Sequence, residues 1–134
     1  MSDRLKGVPP AAVLLGREVA SVGRKSGKCN CVLANGQFAN RHGTVQGGML
    51  AAMLDSATGN AVMANLAPDR TAVTTRLDTT FVKPAALGPL TATARVVKQD
   101  NRSALAEAEL LDSSGQIVAR ARAELRVLER RKAT

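Results

Sequence analysis

The sequence predicts an α+β domain in which an antiparallel β-sheet wraps around one long central α-helix. Three observations carry this expectation. Residues 47–66, GGMLAAMLDSATGNAVMANL, run without a proline, are too long for a strand, and are apolar or small on nearly every side. Such a segment reads as a helix buried all round. After Pro68-Asp69 the apolar spacing shortens to two, the spacing of a strand with one covered face. The last element then alternates without a break. Ile117, Ala119, Ala121, Ala123, Leu125 and Val127 are apolar, and Arg120, Arg122, Glu124 and Arg126 between them are charged. Ala, Arg, Leu and Glu are good helix formers, yet a helix would scatter these arginines around every side, whereas a strand gathers them on one face. Periodicity therefore outweighs propensity. One apolar helix facing several amphipathic strands calls for a sheet covered on one side only.

The remaining elements follow in chain order. Residues 1–8 read as a loose start. Pro9 and Pro10, then AAVLL and Gly16, read as a short helix, since proline suits a first turn and glycine an ending. Arg17 to Gly23 and Lys28 to Ala34 read as strands joined by a hairpin turn at Arg24-Lys25-Ser26-Gly27. A polar, glycine-bearing loop from Asn35 to Gln46 leads into the long helix. Beyond Pro68, Val73, Thr75, Leu77, Thr79 and Phe81 are expected on one face of a strand that ends at Lys83-Pro84. Strands from Thr91 to Lys98 and from Ser103 to Leu111 follow, and the turn Asp112-Ser113-Ser114-Gly115 opens the last one. A single domain over residues 1–134, with its core at about 12–128, is expected.

Composition narrows the partners. Apolar residues make up 45% of the chain, but there are two Phe and neither Trp nor Tyr, so the core falls to Ala, Val, Leu and Met. The net charge is +8 and scattered, apart from a short cluster at Arg130, Arg131 and Lys132. Without aromatic side chains to stack bases, nucleic-acid binding is disfavoured; an anionic small molecule fits the charge as well. No apolar run is long enough to cross a bilayer, and the first residues, MSDRLKGVPP, lack the apolar stretch of a signal peptide, so a cytoplasmic protein with no membrane partner is expected. Two cysteines, Cys29 and Cys31, and one histidine make a poor zinc set. The two cysteines, alternating with Asn30, read as buried neighbours on one strand face, and no metal is expected.

From Gly43 through Pro68 the only charged side chain is Asp55. A carboxylate in the middle of so apolar a helix is costly unless it is paired, hydrogen-bonded or open to a cavity. One turn away on its face are the small residues Ala51, Ala52, Thr58 and Gly59, with Gly48 a further turn back, so another backbone or a ligand can come close. The plainer alternative is a helix with one narrow wet face. The second feature is the helix start, Gln46-Gly47-Gly48. The first N–H groups of a helix lack intrahelical partners and the dipole is positive there, which suits a carbonyl oxygen gaining negative charge; the plainer alternative is glycines for tight packing. Gly47 and Asp55 lie eight residues apart, roughly 12 Å along a helix. One carbonyl and one water cannot span that. If both serve one reaction, the helix start of one subunit must meet Asp55 of another, as antiparallel helices about a two-fold axis would allow.

Asn40-x-x-Gly43-x-Val45-Gln46-Gly47-Gly48, followed by the apolar helix with Asp55, resembles the signature of the hotdog-fold thioesterases, and of their phenylacetate-degradation (PaaI-like) branch. Phe81-Val82-Lys83-Pro84-Ala85 resembles that branch's strand ending. The resemblance spans about residues 12–128 and agrees with the element order read above.

It implies an acyl-CoA thioesterase that works as a homodimer, or a homotetramer built from two dimers, and needs no cofactor, coenzyme A being part of the substrate. It implies that the Gly47 N–H binds the thioester carbonyl, that Asp55 acts as general base or nucleophile, that Asn40 places the thioester or the water, and that Thr74 orients water. Many members carry His before the two glycines. Gln46 stands here instead; it can position a group but cannot titrate near neutrality. His42, the one histidine, reads as a loop residue rather than the base. Gly48 leaves room for substrate. Lys83, Lys98 and Arg102, at strand ends and turns, are candidates for the coenzyme A phosphates or ordinary solvated cations. The competing function is a hotdog protein that binds acyl-CoA without turnover. A hydratase is disfavoured because no histidine follows Gly47. Whether the acyl group is aryl, arylacetyl or medium-chain depends on how Met49, Met53, Met63 and Leu77 pack.

Overall fold

A computed structural model of the chain describes residues 10–15, 17–23, 26–32 and 36–130. Its elements are α1 (Pro10–Leu15), β1 (Arg17–Gly23), β2 (Ser26–Val32), a 3₁₀ turn (Gly36–Phe38), α2 (Gly47–Met63), β3 (Arg70–Phe81), β4 (Pro89–Gln99), β5 (Ser103–Leu111) and β6 (Ile117–Glu129). The order is the expected one and several boundaries move. Ser26 and Gly27, expected in a turn, are strand residues paired with Gly23 and Val22; Arg24 and Lys25 lie outside the described residues, as do residues 1–8. The side chains of Cys29 and Cys31 lie outside them too. α2 ends at Met63 rather than Leu66, because the N–H groups of Asn65 and Leu66 turn back to the carbonyls of Val62 and Met63 and tighten the last turn.

The six strands form one antiparallel sheet in the order β1-β2-β4-β5-β6-β3. The chain leaves β2, runs through α2, and returns on the far edge, so α2 lies across the concave side and β1 and β3 are the two edges. The inner face of the sheet is largely alanine: Ala92 and Ala94 on β4, Ala106 and Ala108 on β5, Ala119 and Ala123 on β6, all buried. Small side chains let the helix approach closely, and α2 supplies much of the bulk with Leu50, Met53, Leu54 and Val62. Leu90, Leu110 and Val118 fill the rest of the principal core.

Two expectations need correction. α2 is buried on one side only, through Leu50, Met53, Leu54, Ala57, Thr58, Ala61 and Val62. Its other side, including Ala51, Ala52, Asp55, Ser56 and Gly59, is half-buried in the chain. The second correction concerns β3. Leu77, Thr79 and Phe81 pair with Ala123, Ala121 and Ala119 and share their inner face, as expected. Then Arg76 pairs with Glu124 and Thr74 with Leu125, leaving Thr75 as an extra residue, a β-bulge. A bulge shifts the alternation by one. Ala72 and Thr74 therefore join the inner face, while Val73 and Thr75, expected inside, are exposed. The Thr75 hydroxyl donates to the Glu124 carbonyl at 3.1 Å.

Candidate active site

The bulge has an immediate chemical result. Thr74, turned inward, donates its hydroxyl to Asp55 Oδ1 at 2.7 Å. The carboxylate in the middle of α2 is thus oriented from the edge strand, 19 positions later in the chain. Asp55 is half-buried and Thr74 is exposed, so the pair sits at a border between core and open surface. A carboxylate held by one oxygen keeps its second as an acceptor, the requirement for a base or a nucleophile. Thr58, one turn on, does not compete for it: its hydroxyl bonds back to the carbonyls of Leu54 and Asp55, both at 3.0 Å.

The helix start is built by the loop before it. Asn40 Oδ1 accepts the N–H groups of His42 (2.8 Å) and Thr44 (3.2 Å), and its Nδ2 donates to the Thr44 hydroxyl at 2.9 Å. Gly43 closes this turn with a φ of 79°, a left-handed conformation that glycine adopts without penalty. Val45 N–H then bonds to the Ala85 carbonyl and Gln46 N–H to that of Phe38. Gln46 is the residue before α2; its side chain makes no capping bond and is exposed. Its carbonyl accepts from Met49 and Leu50. Among the described residues the Gly47 and Gly48 N–H groups donate to no backbone carbonyl, so this end of the helix is chemically open. Gly48 borders open space.

Gly47 is covered by a group the sequence reading did not connect to it. A Cβ at this position would stand 3.3 Å from the Phe81 ring, so only glycine fits beneath it without displacing the ring. Phe81 itself is 52% exposed. The available signal was scarcity: one of two aromatics in the chain stands at a strand end, beside Val82 and Lys83. β3 thus reaches both candidate features of α2, Asp55 through Thr74 and Gly47 through Phe81.

The structure does not bring all the candidates together. Asn40 spends its side chain on the loop. His42 is exposed on that loop. Lys83 forms an ion pair with Asp112 at 3.0 Å and a hydrogen bond to the Gln116 side chain, which commits it to the β5–β6 turn. Asp112 is the centre of that turn: the Ser114 hydroxyl, the Gln116 N–H and Lys83 hold its carboxyl well below the ordinary carboxylate range. Lys98 and Arg102 lie apart from Lys83, both exposed, and with Arg126 line a groove of about 630 Å³. Neither Asp55, Gly47 nor Thr74 borders that groove.

Comparison with known proteins adds a family to this geometry. Residues 42–119 match the model of the thioesterase superfamily. Among solved structures, a phenylacetic acid degradation-related protein of Ralstonia eutropha is 34% identical over 92% of this chain and 96% of its own, with a TM-score of 0.85. The PaaI protein of the E. coli phenylacetic acid degradation operon, at 23% identity, covers 98% of this chain and 91% of its own with a TM-score of 0.83. Thioesterase HI1161 of Haemophilus influenzae, at 17% identity, covers 95% and 87% with a TM-score of 0.85. The latter two share the fold. No curated protein matches the sequence.

Proposed function

The chain belongs to the thioesterase superfamily and has the hotdog fold, and on that premise we propose that it hydrolyses an acyl-CoA thioester at a site shared by two copies of the chain. The observation that carries this reading is the Thr74–Asp55 hydrogen bond. It fixes a carboxylate at the edge of the core, beside small residues that leave space for a ligand, and leaves its second oxygen available to react.

In this reading the thioester carbonyl points at the Gly47 N–H, at the positive end of the helix, which stabilises the oxyanion. Asp55 of the partner subunit attacks the carbonyl carbon or takes a proton from water that does so. The coenzyme A thiolate then leaves; where water attacked, the free acid is formed at once, and where Asp55 attacked, water next cleaves the acyl–Asp55 anhydride to free acid and carboxylate. Thr74 keeps the carboxylate in one orientation, Gln46 lines the approach, and Asn40 acts indirectly by holding the loop that presents Gly47. Lys98 and Arg102 remain candidates for the phosphates of coenzyme A; Lys83 belongs to the β5–β6 turn.

Two observations favour a shared site. The outer edge of β3 pairs with no strand among the described residues, and Val73, Phe81 and Val82 beside it are exposed. The half-buried side of α2 carries Asp55 and small residues, a surface suited to close cover by a second copy. No helix of the described residues is long and apolar enough to cross a membrane.

The test is a thiol-release assay on a panel of aryl, arylacetyl and medium-chain acyl-CoA substrates, with Asp55→Asn beside the native protein. Native turnover that disappears in a folded, ligand-binding Asp55→Asn supports the reading. Binding without release by the native protein would make this an acyl-CoA carrier, and wild-type rates in Asp55→Asn would remove the carboxylate from the mechanism.

A further inference from the structure

Two backbone donors open α2, and their surroundings differ. Among the described residues, neither the Gly47 nor the Gly48 N–H donates to a backbone carbonyl. Gly48 is exposed, with open space where a side chain would stand. Gly47 is half-buried, and the tip of the Phe81 ring lies against it, its Cζ 3.3 Å and its Cε1 3.4 Å from the place a Cβ would take. The two amides are of one chemical kind and one helix position apart. A single aromatic ring closes one side of the first, while the second stays open.

The backbone that carries the ring is tied at both ends. Phe81 is the last residue of β3 and pairs with Ala119 of β6. Directly after it, the Val82 and Lys83 N–H groups donate to the Val118 carbonyl at 2.9 and 3.3 Å, and the Lys83 ammonium pairs with Asp112 at 3.0 Å. The chain then meets the loop that precedes α2. The Val45 N–H donates to the Ala85 carbonyl at 2.9 Å, and Thr44 pairs with Ala86. Residues 81–86 thus strap the start of β6 to the loop that presents Gly47. Phe81 nevertheless remains 52% exposed. A ring needed only for the core would be buried, and a ring free in solvent would need no glycine beneath it. One end of this ring closes on Gly47, and the rest stays open to whatever approaches the helix start.

We infer that Phe81 is a positioning residue for the reaction proposed above: its ring keeps water from the Gly47 N–H and so directs the thioester oxygen to that donor rather than to the Gly48 N–H. The inference rests on the reading in which Gly47 binds the thioester carbonyl. Water competes for an exposed N–H, and its high dielectric weakens the field at the helix start. A donor walled by hydrocarbon meets growing negative charge at fuller strength. The ring presents its edge to Gly47, and the edge is the electropositive part of an aromatic π system. Charge growing on an oxygen there meets no repulsion from the ring. The pairing also explains why the residue is glycine. A methyl group at this position would leave the N–H in place but displace the ring that shields it.

Steady-state hydrolysis of acyl-CoA by Phe81→Ala and Phe81→Leu tests this, together with amide hydrogen exchange at Gly47 and Gly48 read residue by residue. Removing an oxyanion donor costs about 10²–10³ in rate, and wetting one is expected to cost about tenfold. Phe81→Ala is therefore expected to lower kcat by that factor with KM unchanged. Phe81→Leu keeps an apolar wall and is expected to retain most of the native rate. The Gly47 amide is expected to exchange faster in Phe81→Ala, while Gly48 keeps its native rate. Native kcat in Phe81→Ala, a rise in KM alone, or equal acceleration at both amides overturns the inference. Should Phe81→Ala fail to fold, Phe81→Gln, polar and similar in reach, serves instead with the same expected losses, and the same outcomes overturn the inference. A native protein that hydrolyses no acyl-CoA would be a failure of the thioesterase reading, seen before any variant is made. The exchange comparison still decides whether the ring shields Gly47.

Discussion

β6 and β3 are paired neighbours of similar length, and they behave differently. From Val118 onward β6 keeps nearly strict alternation, its alanines and Leu125 buried and its arginines exposed. β3 is half-buried at best along its whole length and breaks its alternation at Thr75. One register pair shows the contrast. Leu125 of β6 is 3% exposed and packs in the core, while Thr74, opposite it, holds Asp55. From Ala119 to Arg126 the interior strand is paired in unbroken register with β5, and its irregularity is confined to its start, where Val118 is skipped between Ile117 and Ala119. The edge strand has a free side, and there a bulge can re-aim a side chain at little cost to the sheet. On β6 the regular stretch builds the core, and on β3 the bulge lies beside the candidate site.

Substitutions can break or sharpen this contrast. The largest effect is expected from the residue that β3 serves: Asp55→Asn should lower kcat by about 10²–10⁴, the usual worth of a general base, with an unchanged melting curve. On β6, Leu125→Ala should destabilise the fold by about 2–5 kcal/mol, read by denaturant unfolding, through lost burial and a residual cavity. Its partner should respond the other way. Thr74→Val removes a hydrogen bond to a charged group, worth about 1.5–3 kcal/mol; a fall in kcat of about 10–100-fold is expected, with Thr74→Ser restoring most of it. A Thr74→Val protein that loses stability but not turnover would reduce the bulge to a structural accident. Acid titration probes the turn that opens β6. The Asp112 carboxyl is lowered on folding, so its contribution is full above its unfolded value of 3.8 and is lost as pH falls below that. Asp112→Asn should flatten the acid limb of the stability curve.

The same contrast explains what could be read from the sequence. β6 was legible because burial on one face enforces a period of two along its length. Asp55 was legible because one charge interrupts an otherwise uncharged helix. The Gln46-Gly47 start was legible because two glycines open the helix, and Thr74 was reached through family resemblance; the structure places Gly47 at the first position of α2 and the Thr74 hydroxyl on Asp55. The bulge was not legible: Val73-Thr74-Thr75 offers β-branched residues for either face, and cross-strand pairing, not local pattern, decides which turn inward. Nor was the fate of Lys83 or Asn40, since a long cation or an amide has no fixed partner until loops distant in sequence meet. The helix was read as buried all round because its residues are small on every side, and one chain covers only half of it.

Phe81 lies with the edge of its ring against Gly47, and it is one of only two phenylalanines in a chain without Trp or Tyr. A ring in that position shifts the magnetic resonance of nearby protons. The Gly47 amide signal therefore serves as a native sensor of anything entering at the helix start, detectable without label or chromophore, in a spectrum almost empty of competing aromatics.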